Sequence, residues 1–275
     1  MSAPPPGLRI HVAINATNDP AMNRTPAPIA PTRSLLRPLL LLLVLVIAAQ
    51  FVSLAFGRLD EGQAFTLIAL PSLLFLSLLT LPAGWAGIVL GRRTGLGMPA
   101  LDALASGQPG ALRTLWRNVA LAAALGLPVG AFFLGLNFLS QPYLPPEVPA
   151  LGFRGVIGGL AVSLGAAVGE EVWFRFGLMT ALAWLVARIA GTRSPSDAAM
   201  WTIIVLAAFG FGLAHVPQLL THGVDTPIAI GSTIAGNVAV GTLYGWCYWR
   251  KGLPAAMAAH FTVDLVLHVL TAALP

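Results

Sequence analysis

From residue 38 onward the chain alternates between long apolar runs and short polar interruptions. Seven runs stand out: Pro38 to Phe56, Ala64 to Leu90, Val119 to Leu139, Val156 to Ile189, Ala198 to Leu220, Pro227 to Trp249 and Leu253 to Leu270. A helix needs about 20 apolar residues to cross a bilayer. The pattern therefore predicts an all-α fold, a polytopic membrane bundle of about seven transmembrane helices. The second run contains Pro71 and Pro82 and is long enough to tilt or kink. Leu101 to Arg117 is weakly amphipathic, which predicts an interfacial helix. Gln141 to Pro149 holds four prolines and is expected to be extended. Small residues recur four apart at Gly126/Gly130, Gly155/Gly159, Gly165/Gly169 and Gly241/Gly245, a spacing that lets helix backbones approach closely. The predicted organisation is a disordered tail over 1–33, three spans over 34–154 and a four-span core over 155–275.

Composition agrees with this pattern. Apolar residues make up 57% of the chain and charged residues 9%, against about 25% charged in a soluble domain. Such a chain has too little polar surface to face water all round, so lipid must solvate it. The net charge of +5 does not point to nucleic acid, because the basic residues lie in the short segments between apolar runs. Those segments set orientation. Arg9, Arg24, Arg33 and Arg37 precede the first span, Arg92, Arg93, Arg113 and Arg117 separate the second from the third, Arg188 and Arg193 lie at or just after the end of the fourth, and Arg250 and Lys251 follow the sixth. If the fourth run crosses once, all these groups fall on one side, with only Arg58 and Arg154 opposite. The expected placement is a bacterial inner membrane with the N-terminus in the cytoplasm, where the glycosylation-like patterns at Asn15 and Asn23 have no meaning. The one cysteine, Cys247, excludes a disulfide framework within the chain and Cys-rich metal sites.

The informative residues are the ionisable ones inside the apolar runs. An Asp or Arg at a helix centre costs about 2.5–3.5 kcal/mol on insertion scales, so such groups are paired or functional. This chain places Glu170, Glu171 and Arg175 in the fourth run, His215 in the fifth, and His260 and Asp264 in the seventh. Glu171 and Arg175 are four apart, on one helix face, and are expected to form an ion pair. Glu170 is rotated about 100° away and stays free to take a proton from water. His260 and Asp264 share the same spacing. Asp264 either fixes the tautomer of His260 or lines the site itself. Each piece alone has a structural explanation; two glutamates, an arginine, two histidines and an aspartate on three spans point to a polar intramembrane cavity.

The motifs are Glu170-Glu171-Val-Trp-Phe-Arg175 (EExxxR), Phe211-Gly-Leu-Ala-His215 (FxxxH) and His260-Phe-Thr-Val-Asp264 (HxxxD). Three such motifs in this order, each on its own apolar run, resemble the CPBP family (CAAX protease and bacteriocin-processing), which includes the type II CAAX prenyl endopeptidases. The resemblance covers about residues 155–270. It implies an intramembrane endopeptidase with a cavity open to the cytoplasm, acting on a peptide or protein that is lipid-modified in the eukaryotic relatives. Glu170 would match the glutamate that activates water. His215 and His260 would match the histidines that position water or stabilise the oxyanion, and Glu171 and Arg175 the supporting ion pair. Asp264 stands where the eukaryotic enzyme has an asparagine, so a side-chain amide cannot donate there.

Two cofactor readings stay open. In one, a divalent metal such as zinc is held by Glu170, His215, His260 and Asp264; in the other there is none, since HExxH is absent and the glutamate–histidine site can be drawn without metal. Rival functions are a proton- or ion-coupled transporter, a bis-histidine haem protein on His215 and His260, and a non-catalytic immunity or scaffold relative. The transporter is disfavoured by the lack of an internal repeat. Carboxylates and a buried arginine disfavour the haem protein. His222 and His268 match no motif position.

Overall fold

The apolar runs fold as helices in a computed structural model that describes residues 35–58 and 65–274. The predicted N-terminal tail, Arg9, Arg24, Arg33 and the Asn15 and Asn23 patterns lie outside the described residues. In chain order the helices are α1 (Leu36–Ser53), α2 (Phe65–Thr94), α3 (Pro99–Ala105), α4 (Ala111–Ser140), α5 (Gly155–Glu170), α6 (Thr180–Ile189), α7 (Asp197–Ala214), α8 (Val216–Thr221), α9 (Pro227–Lys251), α10 (Leu253–Asp264) and α11 (Thr271–Ala273). Wider π-helical turns extend α1 over Leu54–Arg58, join α5 to α6 over Glu171–Met179 and join α10 to α11 over Leu265–Leu270. No strand occurs among the described residues. Seven of the resulting rods are long and apolar enough to cross a membrane: Leu36–Gly57, Leu67–Thr94, Ala111–Tyr143, Gly155–Ile189, Asp197–Thr221, Pro227–Lys251 and Leu253–Ala273. The fourth run is one continuous rod with no hairpin in it, as the seven-span reading requires.

Two local expectations change. The stretch Leu101 to Arg117 is not one interfacial helix. Gly107 and Gly110 adopt positive φ (66° and 76°), a region only glycine enters cheaply. The helix therefore breaks there, and the third span starts at Ala111 rather than Val119. Arg113 and Arg117 thus occupy the first two turns of α4, exposed, where long cationic side chains reach the interface. The loop after α4 is not extended throughout: it begins with a 3₁₀ turn at Gln141–Tyr143, passes through an extended Leu144 and turns again where the Val148 N–H bonds to the Pro145 carbonyl at 3.0 Å.

The seventh rod is central. α10 packs on α4, α5 and α9, with Ala255, Ala256 and Ala259 fully buried. Without water to drive apolar contacts, such helices are held by close packing and interhelical hydrogen bonds. Gly126 lets α4 touch α10: a Cβ there would lie 2.7 Å from the Ala259 carbonyl oxygen. The first two spans brace the fourth. Gln50 on α1 is buried and donates to the Gly165 carbonyl at 2.7 Å. Trp173 in the π segment donates through Nε1 to Thr80 on α2 at 2.9 Å.

Because the Gly126 contact is with backbone, it cannot be relieved by a rotamer change. Gly126→Val is expected to destabilise the bundle by about 1–3 kcal/mol, read as a lower unfolding midpoint in detergent. An unchanged midpoint would mean that α4 and α10 do not approach this closely.

Candidate active site

Each of the three motifs lies where a helix departs from regular α geometry. EExxxR straddles the end of α5 and the start of the π segment. Its wider turn still leaves Glu171 and Arg175 in contact: Nη1 of Arg175 donates to Oε1 of Glu171 at 3.1 Å, with side chains 1% and 0% exposed. The other guanidinium nitrogen, Nη2, donates to the Gly241 carbonyl on α9 at 3.0 Å. Only glycine fits at 241, since a Cβ would lie 2.8 Å from Nη2. The guanidinium also rests over the rings of Phe211 (4.6 Å) and Tyr244 (5.3 Å). Arg175 thus ties the fourth, fifth and sixth spans together. Thr180 and Tyr248 add a second tie from α6 to α9, their hydroxyls 2.6 Å apart, and Thr180 also donates to the Arg175 carbonyl at 3.3 Å.

FxxxH ends at a break caused by Pro217. Proline has no N–H to continue the helix and crowds the preceding turn. The backbone N–H of His215 bonds to the Gly212 carbonyl at 3.2 Å, one residue short of regular α geometry. This releases the Phe211 carbonyl, which accepts a 2.8 Å hydrogen bond from Nδ1 of the His215 ring. With Nδ1 carrying the proton, the neutral ring keeps a lone pair on Nε2. Phe211 packs edge-on against His215 (4.7 Å) and against His260 (5.9 Å). It stands beside both, and among the described residues His215 has no ion pair with the site's acids.

HxxxD closes the group. Nδ1 of His260 donates to Glu171 Oε1 at 2.8 Å, so this oxygen serves Arg175 and His260 together. On the other side of the ring, Nε2 faces Glu170 Oε2 at 3.8 Å and Asp264 Oδ2 at 3.6 Å. Both are beyond hydrogen-bond length. The tautomer of His260 is therefore fixed by Glu171, not by Asp264; of the two roles open to Asp264, facing the site is the one its position allows. Glu170 and Asp264 keep 17% and 12% of their side chains exposed. Glu171 Oε2 is buried with no partner. His222 is exposed after α8, and His268 lies one turn past Asp264, half-buried.

The sequence did not single out three features of this group: the Glu171–His260 bond, the Gly241 carbonyl and Tyr244, whose ring is stacked on His260 at 4.4 Å. The Gly241/Gly245 spacing was the only signal for any of them. The donor set does not fit a zinc ion as it stands. Of the four residues in the metal reading, His260 turns Nε2 toward Glu170 and Asp264 at 3.8 and 3.6 Å, while His215 forms no ion pair with either acid among the described residues. Among the described residues no three His, Cys, Asp or Glu side chains gather as a metal requires.

Removing one member of a buried pair leaves an uncompensated charge, at a cost of about 3–5 kcal/mol. Arg175→Met is expected to lower the unfolding midpoint accordingly, and Glu171→Gln added to it is expected to recover a large part of the loss. A double variant no more stable than Arg175→Met would contradict the pairing.

Residues 152–266 match the family model for Rce1-like proteins, described as type II CAAX prenyl endopeptidase Rce1-like. No curated protein and no solved structure matches the chain. The matched segment contains all three motifs, the π segment and α7 to α10. The chain, with seven helices long and apolar enough to cross a membrane, is thus similar over residues 152–266 to the Rce1-like family of CAAX-type intramembrane proteases.

Proposed function

We propose that this protein is an intramembrane endopeptidase in which Glu170 activates the attacking water. The observation that carries the reading is the asymmetry of the adjacent glutamates. Glu171 is sealed in and holds Arg175 and His260, whereas Glu170 is partly exposed and its Oε2 lies 3.8 Å from His260 Nε2. One water can bridge such a gap. Glu170 takes a proton from that water, and the oxygen bonds to the scissile carbonyl carbon. The C=O electron pair moves onto oxygen to give a tetrahedral oxyanion. Nε2–H of His260, in its imidazolium form, donates to that oxyanion, and the surrounding carboxylates balance the imidazolium charge. The C–N bond then breaks, and Glu170 returns the proton to the leaving nitrogen. His215, with Nε2 unencumbered, helps hold the water or the carbonyl. Asp264 lines the cavity beside Nε2 of His260, 3.6 Å away.

No step is routed through a metal, since among the described residues no three His, Cys, Asp or Glu side chains gather as a metal requires. The substrate is a peptide or protein, with lipid-modified chains among the candidates that the family suggests. We take 155–275 as the catalytic part and the first three spans as its brace. The arginine distribution supports a cytoplasmic N-terminus in a bacterial inner membrane. No observation favours transport or a non-catalytic role.

The test is cleavage of a peptide library that includes farnesylated CAAX peptides, by the wild type and Glu170→Gln, with and without chelator. Glu170→Gln is expected to lose about 10²–10⁴-fold in kcat while remaining folded. Activity is expected to survive chelation. Full activity in Glu170→Gln would remove Glu170 as the base. Loss in chelator with recovery in zinc would replace this mechanism with a metal-dependent one.

A further inference from the structure

Tyr244 lies outside the three motifs, yet it is buried against the centre of the group. It sits three residues after Gly241 on α9, so its ring and the Gly241 carbonyl that receives Arg175 share one helix face. The phenol ring lies nearly parallel to the His260 imidazole, 4.4 Å away and 12° from coplanar. Phe211 meets the same imidazole edge-on, 5.9 Å away at 84°, and meets Tyr244 at 72°. The imidazole is thus covered on one face and closed at an edge. Arg175 lies 5.3 Å from the Tyr244 ring, near enough for a cation–π attraction.

The Nδ1 bond to Glu171 fixes one atom of the His260 ring. It does not fix the plane, because the ring can still pivot about that bond. Glu170 and Asp264 stand 3.8 and 3.6 Å from Nε2, outside hydrogen-bond range, and so constrain the pivot weakly. A stacked aromatic ring does constrain it, since tilting the imidazole out of parallel forfeits the contact. We propose that Tyr244 is a positioning residue for the peptidase reaction: by stacking on His260 it holds the imidazole plane so that Nε2 stays between Glu170 and Asp264. This rests on the endopeptidase reading above. The stacking needs the ring and not the hydroxyl, which separates it from any role for the phenol as a proton donor.

The experiment compares wild type, Tyr244→Phe, Tyr244→Leu and Tyr244→Met in detergent, the last giving a second non-aromatic side chain should the leucine variant not fold. Two readouts are taken: kcat and KM on a peptide that the wild type cleaves, and the ring motion of ¹³C-labelled His260 by NMR relaxation, assigned with His260→Asn. Tyr244→Phe is expected to stay within about twofold of wild type in both constants, with His260 as ordered as before. The folded non-aromatic variant is expected to lose about tenfold or more in kcat with KM little changed, as misplacement of a reacting group does, and its His260 ring is expected to become more mobile. The proposal is overturned if the non-aromatic variant keeps wild-type kcat, if Tyr244→Phe is as impaired as that variant, or if His260 is equally ordered in all. If the wild type cleaves no peptide, the endopeptidase reading fails, and the NMR comparison still decides whether Tyr244 orders His260.

Discussion

The site depends on one carboxylate oxygen. Glu171 Oε1 accepts from Arg175 at 3.1 Å and from His260 at 2.8 Å, in a place without exposure to solvent. Charge-assisted bonds of this kind are strong in a low-dielectric interior, and losing either partner leaves a charge that lipid cannot solvate. The fourth span is thereby tied to the seventh through His260. Through Arg175 it is tied to the Gly241 carbonyl of the sixth and to the Phe211 ring of the fifth. Glu170, the residue just before Glu171 at the end of α5, is left without a hydrogen-bonded partner at the site, 3.8 Å from His260 Nε2. The role we propose for it rests on its neighbour having taken the structural one.

Irregular helix geometry gives these groups their positions. The π turn from Glu171 to Met179 seats Arg175 against α9, while Trp173 reaches Thr80 on α2. The break before Pro217 frees a carbonyl that His215 then uses to set its own tautomer. A second π turn follows Asp264 directly. Such departures from α geometry recur at functional sites because they aim side chains that a regular helix would direct elsewhere. In a membrane each one exposes backbone groups that need partners. Thr180, on the Arg175 carbonyl, and His215, on the Phe211 carbonyl, supply side chains that answer that need.

Much of the architecture was legible in the sequence, because the bilayer imposes a length and a polarity that apolar runs display directly. The single crossing of the fourth run followed from arginine bias and agrees with the unbroken rod from Gly155 to Ile189. The i,i+4 spacing of Glu171 and Arg175 was enough to predict their ion pair. The start of the third span was misread, because Leu101 to Arg117 looks like one amphipathic stretch unless Gly107 and Gly110 are given the positive φ they adopt. Spacing within a helix also cannot say which carboxylate His260 meets. Its i,i+4 neighbour Asp264 lies 3.6 Å from Nε2, too far for a tautomer-fixing bond, and the partner that fixes the tautomer is 89 residues away. Tyr244 was invisible for the same reason, since its relation to His260 exists only once α9 packs on α10.

The most direct test of this account is the protonation pattern of His260. ¹⁵N spectra of histidine-labelled protein, assigned by comparison with His260→Asn, report which ring nitrogen carries the proton in the neutral form. The account predicts that the neutral ring keeps its proton on Nδ1, held by Glu171, that the Nε2 proton the reaction uses is gained only in the imidazolium form, and that the Nδ1 preference is lost in Glu171→Ala. A neutral His260 protonated on Nε2 in the wild type would contradict it, because the imidazole would then not be anchored by the carboxylate on which the rest of the site is built.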